Sequence, residues 1–369
     1  MSEINASMKK IIIVAGGSGG HIFPALALAG VLDRDKGFEV VFVASRRALD
    51  RKFLADKKYK KYYLSINPMP YRAGLKMFVF ALKAVSDAFR ACSILWRERP
   101  RIVVGFGEYT SGAIVFLAKI CGIKTLIHEQ NVVPGRTNRF LARYADRIAL
   151  SFEETKRYFN GRNNVLTGNP LRESVVRERR REGYEKLGID AGRFTVLVMG
   201  GSQGASSLNN LACAALCGFD AALKNSVQVI HIAGVADRQR IQDMYHENAV
   251  SARVYSFIDD IYDAYAVSDM AVSRAGASSV FELAVYGRPM ILVPYPADRH
   301  NQRYNAQFFA KHGAAFCIEE KNTDADSLRV VMTGLIADKT RLGEMAARAL
   351  SLAKDNAAES LAQEIKVLV

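Results

Sequence analysis

Two α/β domains, each a parallel sheet flanked by helices, are predicted by three features of the sequence. The first is length: 369 residues exceed the roughly 250–300 at which a single core stops growing. The second is an internal echo. Ile11-Ile12-Ile13-Val14-Ala15-Gly16-Gly17-Ser18-Gly19-Gly20 returns as Thr195-Val196-Leu197-Val198-Met199-Gly200-Gly201-Ser202-Gln203-Gly204, each time a buried strand, a glycine-rich turn and a helical pattern. The third is the alternation of strand-length apolar runs with amphipathic stretches in both halves, which joins parallel strands through helices.

Taken in order, the runs of the first half are 11–14, 40–44, 102–104, 125–127 and 148–150. Those of the second are 195–199, 227–232, 254–257, 270–273 and 290–293. Two such halves imply two Rossmann-like domains with a cleft between them. Gly168-Asn169-Pro170 marks the boundary, giving domains 1–168 and 169–369. The charge run 173–185 reads as a solvated helix leading into the second domain. The last helical stretch, 342–369, suits packing on either domain.

Composition is globular, half hydrophobic and a quarter charged. Five scattered cysteines make no disulfide framework and fit a reducing compartment. Cys213 and Cys217 stand four apart with no further ligand nearby to complete a zinc site. The apolar stretch at the N-terminus is too short for a signal peptide. The longest uncharged stretch, 194–219, contains Gly200, Gly201, Gln203, Asn209 and Asn210, so it is not a spanning segment. A cytoplasmic location is expected.

The net charge of +14 lies in the first half. Residues 1–168 hold 28 Lys and Arg against 13 Asp and Glu, a net +15, whereas 169–369 hold 23 against 24. Between 51 and 90 stand ten basic residues and only Asp56 and Asp87 as acids. Such a field favours nucleic acid, anionic lipid or a phosphorylated substrate. Nucleic acid is disfavoured, because aromatic–basic interleaving, zinc spacing and an RNP-like strand are all missing. The stretch 75–96 repeats Leu75, Phe78, Leu82, Val85, Phe89 and Cys92 at helical spacing. That is a core helix or, with its apolar surplus and basic flanks, an interfacial membrane contact.

The first turn, Gly16 to Gly20, is not a Walker loop, and Ile22 breaks the dinucleotide fingerprint. Ser45-Arg46-Arg47 closes the second strand where an NAD site would place an acid. What remains is a turn whose backbone N–H groups suit phosphate or developing negative charge, either that or a tight structural turn. His21 follows directly and suits a general base. The loop Gly200 to Gly204 has the same character, with Ser202 able to bond a phosphate oxygen. Arg274-Ala275-Gly276-Ala277-Ser278-Ser279-Val280-Phe281-Glu282 opens another helix towards a diphosphate, and Glu282 can accept ribose hydroxyls or be a solvated carboxylate.

Together these residues resemble the MurG family. The resemblance covers nearly the whole chain. It is carried by Gly16 to Ala25, His128-Glu129-Gln130-Asn131 with Pro134-Gly135 and Asn138-Arg139, and Gly168-Asn169-Pro170-Leu171-Arg172. Gly200 to Ala205, Phe257-Ile258-Asp259-Asp260, Ser273 to Ala277 with Glu282, and Gln302 with Asn305-Ala306 complete it. It implies the GT-B glycosyltransferase fold, two Rossmann-like domains with parallel sheets facing a central cleft. It implies inverting transfer of GlcNAc from UDP-GlcNAc to lipid I, undecaprenyl-diphosphate-MurNAc-pentapeptide, giving lipid II in peptidoglycan synthesis.

By the same resemblance Ile258 contacts uracil, Glu282 the ribose, Ser202 and Ala277, Ser278, Ser279, Val280 and Phe281 the diphosphate, and Gln302 the sugar. Arg172 reaches the donor, and Ser18, Gly19, Gly20 and Asn131 bind donor or line the reaction centre. The first domain takes lipid I and rests peripherally on the cytoplasmic face of the membrane. His21 is the expected base and Glu129 the second candidate. No metal or other cofactor is expected: Asp324-Ala325-Asp326, which resembles a metal-binding pair, precedes Ser327-Leu328-Arg329 and reads as a helix N-cap.

The sequence departs from the family at Glu108, where a glycine is usual, at Ser18 and Ser279, where Thr is common, and at Asn301, where His is frequent. A glycolipid-forming transferase and a UDP-GlcNAc 2-epimerase share the fold, but His128-Glu129-Gln130-Asn131 argues against both.

Overall fold

The structure, a computed structural model, describes residues 8–65, 75–171, 180–200, 205–296 and 301–369, with the backbone alone at 75–84, 180 and 181. The chain divides into two compact units. One is Met1–Glu173 with Asp355–Val369, the other Ser174–Lys354.

In the first unit the described strands are β1 (Lys9–Val14), β2 (Phe38–Ser45), β3 (Lys60–Leu64), β4 (Ile102–Gly105), β5 (Lys124–Glu129), β6 (Arg147–Leu150) and β7 (Asn164–Leu166). They form one parallel sheet in the order β3-β2-β1-β4-β5-β6-β7. The two-residue period of a strand sends alternate side chains to opposite faces. Ile11, Ile13 and Phe42 join Ile22, Leu28 and Leu32 of the helix Gly19–Arg34 on one face. Ile12, Val14 and Val41 join Ala91, Ile94 and Leu95 of the helix Leu75–Glu98 on the other.

The stretch 342–369 divides: the helix Lys339–Leu352 belongs to the second unit and the helix Ala357–Leu368 to the first. Its Leu361, Ala362 and Ile365 enter the core beside the helix Gly19–Arg34. Lys366 pairs with Asp35 at 2.8 Å and Glu364 with Arg147 at 3.1 Å.

The second unit holds β8 (Phe194–Met199), β9 (Val227–Ile232), β10 (Ala252–Tyr255), β11 (Met270–Ser273), β12 (Met290–Leu292) and β13 (Ala315–Cys317). These form a parallel sheet in the order β10-β9-β8-β11-β12-β13. Three described strands, β3, β7 and β13, were not among the apolar runs. Of the expected solvated helix at 173–185, Arg180–Leu187 is helical, and 172–179 lie outside the described residues.

The helix Leu75–Glu98 presents a different face from the one its apolar spacing suggests for a core helix. Asp87, Ala91, Ile94, Leu95 and Glu98 are buried, whereas Phe89 is 72 % and Trp96 76 % exposed, with Val85 and Cys92 also exposed. Glu98 explains the polar interior. Its carboxylate accepts hydrogen bonds from Lys10 Nζ at 2.9 Å, Lys60 Nζ at 2.6 Å and the Tyr62 hydroxyl. Lys58, Lys60 and Lys61 of the 57–61 cluster thus have partners within the fold. Lys58 pairs with Asp33 and Lys61 Nζ donates to the Ala55 carbonyl at 2.9 Å.

Candidate active site

In open parallel α/β sheets, ligands bind beyond the carboxyl ends of the strands. In the first unit, four such ends converge. The turn after β1 is fixed by Asp50, which the sequence reading missed. Its two oxygens accept from Gly17 N–H at 3.1 and 2.9 Å, and Oδ2 also accepts from the Ser45 hydroxyl at the end of β2. Gly17 needs to be glycine, with φ +83°. Arg47 Nη1 donates to its carbonyl at 3.1 Å. Ser18, Gly19 and Gly20 then open the helix Gly19–Arg34.

His21 stands on the first turn of that helix, half-buried. Its Nδ1 lies 2.9 Å from the Ser18 hydroxyl. The Cδ2–Nε2 edge faces Gly107 after β4, where an added Cβ would sit 3.5 Å from both atoms. Burial lowers the imidazole pKa, against the opposing pull of the Glu129 and Asp50 carboxylates and the Gly16 carbonyl. The ring is therefore neutral at neutral pH, with one nitrogen able to take a proton.

Glu129 ends β5 and is buried. Its Oε1 accepts from Asn131 N–H at 2.9 Å and Asn131 Nδ2 at 3.3 Å. Its Oε2 accepts from Gly135 N–H at 3.0 Å and Asn138 Nδ2 at 2.9 Å. Four bonds make this carboxylate the clamp of the loop 130–138, with Asn131 as one of the clamped residues. His128 donates from Nε2 to the Gly168 carbonyl at 3.1 Å, so its Nδ1 accepts from Gln130 Nε2 at 3.1 Å. Burial holds its pKa down at about 4, leaving a neutral structural histidine. Gln130 Nε2 also lies 3.0 Å from the Phe106 carbonyl, tying β5 to the end of β4.

In the second unit, Gly276 precedes the helix Ala277–Val285. Ala277, Ser278 and Ser279 form its first turn, at the end of the helix whose dipole favours negative charge. Val280 differs, since its N–H closes onto the Gly276 carbonyl at 3.0 Å and its side chain is in the core. Phe281 packs edge-on against Phe309, ring centroids 5.6 Å apart. Glu282 is buried, and its Oε2 accepts from the Tyr265 hydroxyl at 2.9 Å, with Tyr262 at 3.5 Å from Oε1.

Gln302 begins the helix Gln302–Lys311, its Oε1 accepting from Tyr295 N–H at 3.0 Å. Ile258 is half-buried between β10 and the helix Ile261–Val267. Arg172 and Ser202 lie outside the described residues. A further organiser is Arg274 at the end of β11, nearly fully buried. It donates to the carbonyls of Val293 at 3.1 Å and Pro294 at 3.2 Å and to Ser207 Oγ at 2.8 Å, and pairs with Glu320. In the sequence it stood at the head of the Arg274–Glu282 segment, directly after an apolar strand, with no role assigned to it.

Asp324 caps the helix Ala325–Ala337, accepting from Ser327 N–H at 2.8 Å. Among the described residues no group of three or more His, Cys, Asp or Glu side chains is arranged to hold a metal ion.

Residues 11–150 match the glycosyltransferase family 28 N-terminal domain and residues 195–365 the glycosyltransferase family 28 C-terminal domain. The chain is similar to the UDP-N-acetylglucosamine–N-acetylmuramyl-(pentapeptide) pyrophosphoryl-undecaprenol N-acetylglucosamine transferase of Halothermothrix orenii, 35% identical over 95% of this chain and 97% of that protein. The transferase of the same name from Methylococcus capsulatus is 38% identical over 96% of this chain and 97% of its own length. The crystal structure of Acinetobacter baumannii MurG superposes with a TM-score of 0.79 at 28% identity, covering 97% of this chain and 99% of that one.

Proposed function

The chain belongs to glycosyltransferase family 28, among the MurG transferases that move GlcNAc from UDP-GlcNAc to undecaprenyl-diphosphate-MurNAc-pentapeptide, and from that premise we propose that His21 is the base of the transfer. The observation that carries this is the neutral imidazole beyond the end of β1, oriented by Ser18. Inversion takes a single displacement. The acceptor MurNAc hydroxyl loses its proton to the unprotonated ring nitrogen and attacks the anomeric carbon, and UDP leaves with the bonding pair. Glu129, whose oxygens already accept four hydrogen bonds, holds the loop carrying Asn131.

The second unit takes the donor. Glu282 accepts the ribose hydroxyls, with Tyr265 fixing one of its oxygens. The first-turn N–H groups of Ala277, Ser278 and Ser279 receive the diphosphate and stabilise the charge that develops as UDP leaves. Ile258 lies against uracil and Gln302 against the sugar. Ser18, Gly19 and Gly20 of the first unit, which takes lipid I, bind donor or line the reaction centre.

Among the described residues no helix is long and apolar enough to cross a membrane. We assign the membrane contact to the exposed stripe Val85, Phe89 and Trp96 with Arg90 and Arg97 beside it. A lipid-linked acceptor and a water-soluble donor require an enzyme resting on the cytoplasmic face, where such a stripe inserts its apolar side chains. The test is transfer of radiolabel from UDP-GlcNAc to a lipid I analogue by wild type and His21→Ala, with EDTA present. Label transfer by wild type and its loss in the variant support the reading. Undiminished transfer by the variant places the base elsewhere.

A further inference from the structure

Glu108 opens the helix Glu108–Ile120 in a left-handed conformation, φ +64°, directly after Gly107 at φ +90°. Glycine takes that conformation freely and glutamate does not, so the carboxylate is held there by the fold around it. The side chain turns back over the first glycine-rich turn. A Cβ placed on Gly17 would lie 2.2–2.4 Å from the Glu108 carboxyl group, which therefore occupies the space beside that residue. Arg47 Nη1 stands 4.0 Å from Glu108 Oε1 while donating to the Gly17 carbonyl. Asp50 has taken the Gly17 N–H.

The turn thus meets an incoming anion with one N–H already committed, a carboxylate beside it and the Arg47 guanidinium 4.0 Å from that carboxylate. We propose that Glu108 is a built-in competitor for the acceptor's diphosphate at this turn and so sets the acceptor affinity of this chain. The proposal rests on the reading of the first unit as the acceptor side. Removing the charge frees Arg47 for a phosphate oxygen and removes a like charge from the dianion's path.

Two variants separate charge from backbone strain: Glu108→Gln keeps the left-handed backbone and the shape, and Glu108→Gly removes both. With UDP-GlcNAc saturating and a soluble lipid I analogue varied, both variants lower the acceptor KM roughly tenfold, about 1.4 kcal/mol, while the donor KM stays put. In parallel, calorimetry with inorganic pyrophosphate, with UDP present to fill the nucleotide site, shows tighter binding to Glu108→Gln than to wild type. An equal or weaker pyrophosphate affinity in Glu108→Gln, or an equal or higher acceptor KM, overturns the proposal. Failure of wild type to transfer GlcNAc at all would instead overturn the functional reading, and the pyrophosphate titration would still decide the role of Glu108.

Discussion

The hydroxyl of Ser18 and Nδ1 of His21 lie 2.9 Å apart, one helical turn from the carboxyl end of β1. The pairing orients the imidazole, and burial keeps it neutral. His21→Ala should therefore lower kcat by roughly 10²–10⁴ with the UDP-GlcNAc Kd unchanged. Because the pKa of His21 is lowered from the ordinary 6.5, kcat should hold level through neutral pH and fall only as acid protonates the ring below that value. Ser18→Ala should shift this acid limb. A pH–rate profile of both variants checks the assignment, and an acid limb above 6.5 in wild type would contradict it.

Glu129 carries a separate expectation. With both oxygens accepting two hydrogen bonds each, Glu129→Gln places an NH₂ against an N–H donor. Leaving such a buried group unpaired costs about 1–3 kcal/mol. Urea unfolding should show that loss. Full stability with abolished turnover would instead make Glu129 the base.

Glu282→Ala should weaken UDP-GlcNAc binding by about 1–3 kcal/mol, since it removes charge-assisted hydrogen bonds. Tyr265→Phe deletes only the hydroxyl that fixes Oε2, and should give a smaller loss. Calorimetric titration of the donor ranks the two, and an unchanged Kd in Glu282→Ala would exclude the carboxylate from the donor site.

Phe89 and Trp96 project from a helix whose opposite side is core. Burying a large apolar side chain contributes about 1.5–3 kcal/mol. The double variant Phe89→Asp with Trp96→Asp should lose co-sedimentation with anionic vesicles while keeping donor affinity. Equal vesicle binding would move the membrane contact to another surface. Lys60→Glu is a poor probe by comparison, because it sets two carboxylates together at Glu98.

Glu98 itself predicts acid sensitivity. Burial pushes its carboxyl pKa up, but hydrogen bonds from Lys60, Tyr62 and Lys10 outweigh this and hold it at about 2, against an ordinary 4.5. A depressed pKa contributes stability that is complete above 4.5 and lost as pH falls from there towards 2. Wild type should lose stability through that window more steeply than Glu98→Gln, as read from urea midpoints at each pH.

The central strands were legible because they are buried on both faces. Runs such as 11–14 and 195–199 leave no other reading once a glycine-rich turn follows. The edges were not. β3 begins with Lys60 and Lys61, β7 is Asn164-Val165-Leu166, and β13 is three residues long. An edge strand is half solvated and short, so its pattern merges with that of loops. Periodicity alone left the helix Leu75–Glu98 open between a core helix and an exposed interfacial face, for a related reason. Its polar Asp87 and Glu98 are satisfied inside, by Ser65 N–H and by the Lys10–Lys60–Tyr62 set, and those partners, distant in sequence, turn Val85, Phe89 and Trp96 outward. At the candidate site the first glycine-rich turn, His21 and Glu282 could be singled out from the sequence, whereas the bonds that Asp50 makes to Gly17 and Ser45, and that Arg274 makes to Val293, Pro294 and Ser207, join distant segments and appear only in three dimensions.

The return of residues 355–369 to the first unit makes that unit discontinuous in the chain, with Ser174–Lys354 interposed. Synthesis proceeds from the N-terminus, so the seven-stranded sheet is complete long before Leu361, Ala362 and Ile365 exist to cover the helix Gly19–Arg34. The interposed unit, by contrast, is continuous and can close as soon as it emerges. The apolar seam beside the helix Gly19–Arg34 thus closes only after the interposed unit has been made.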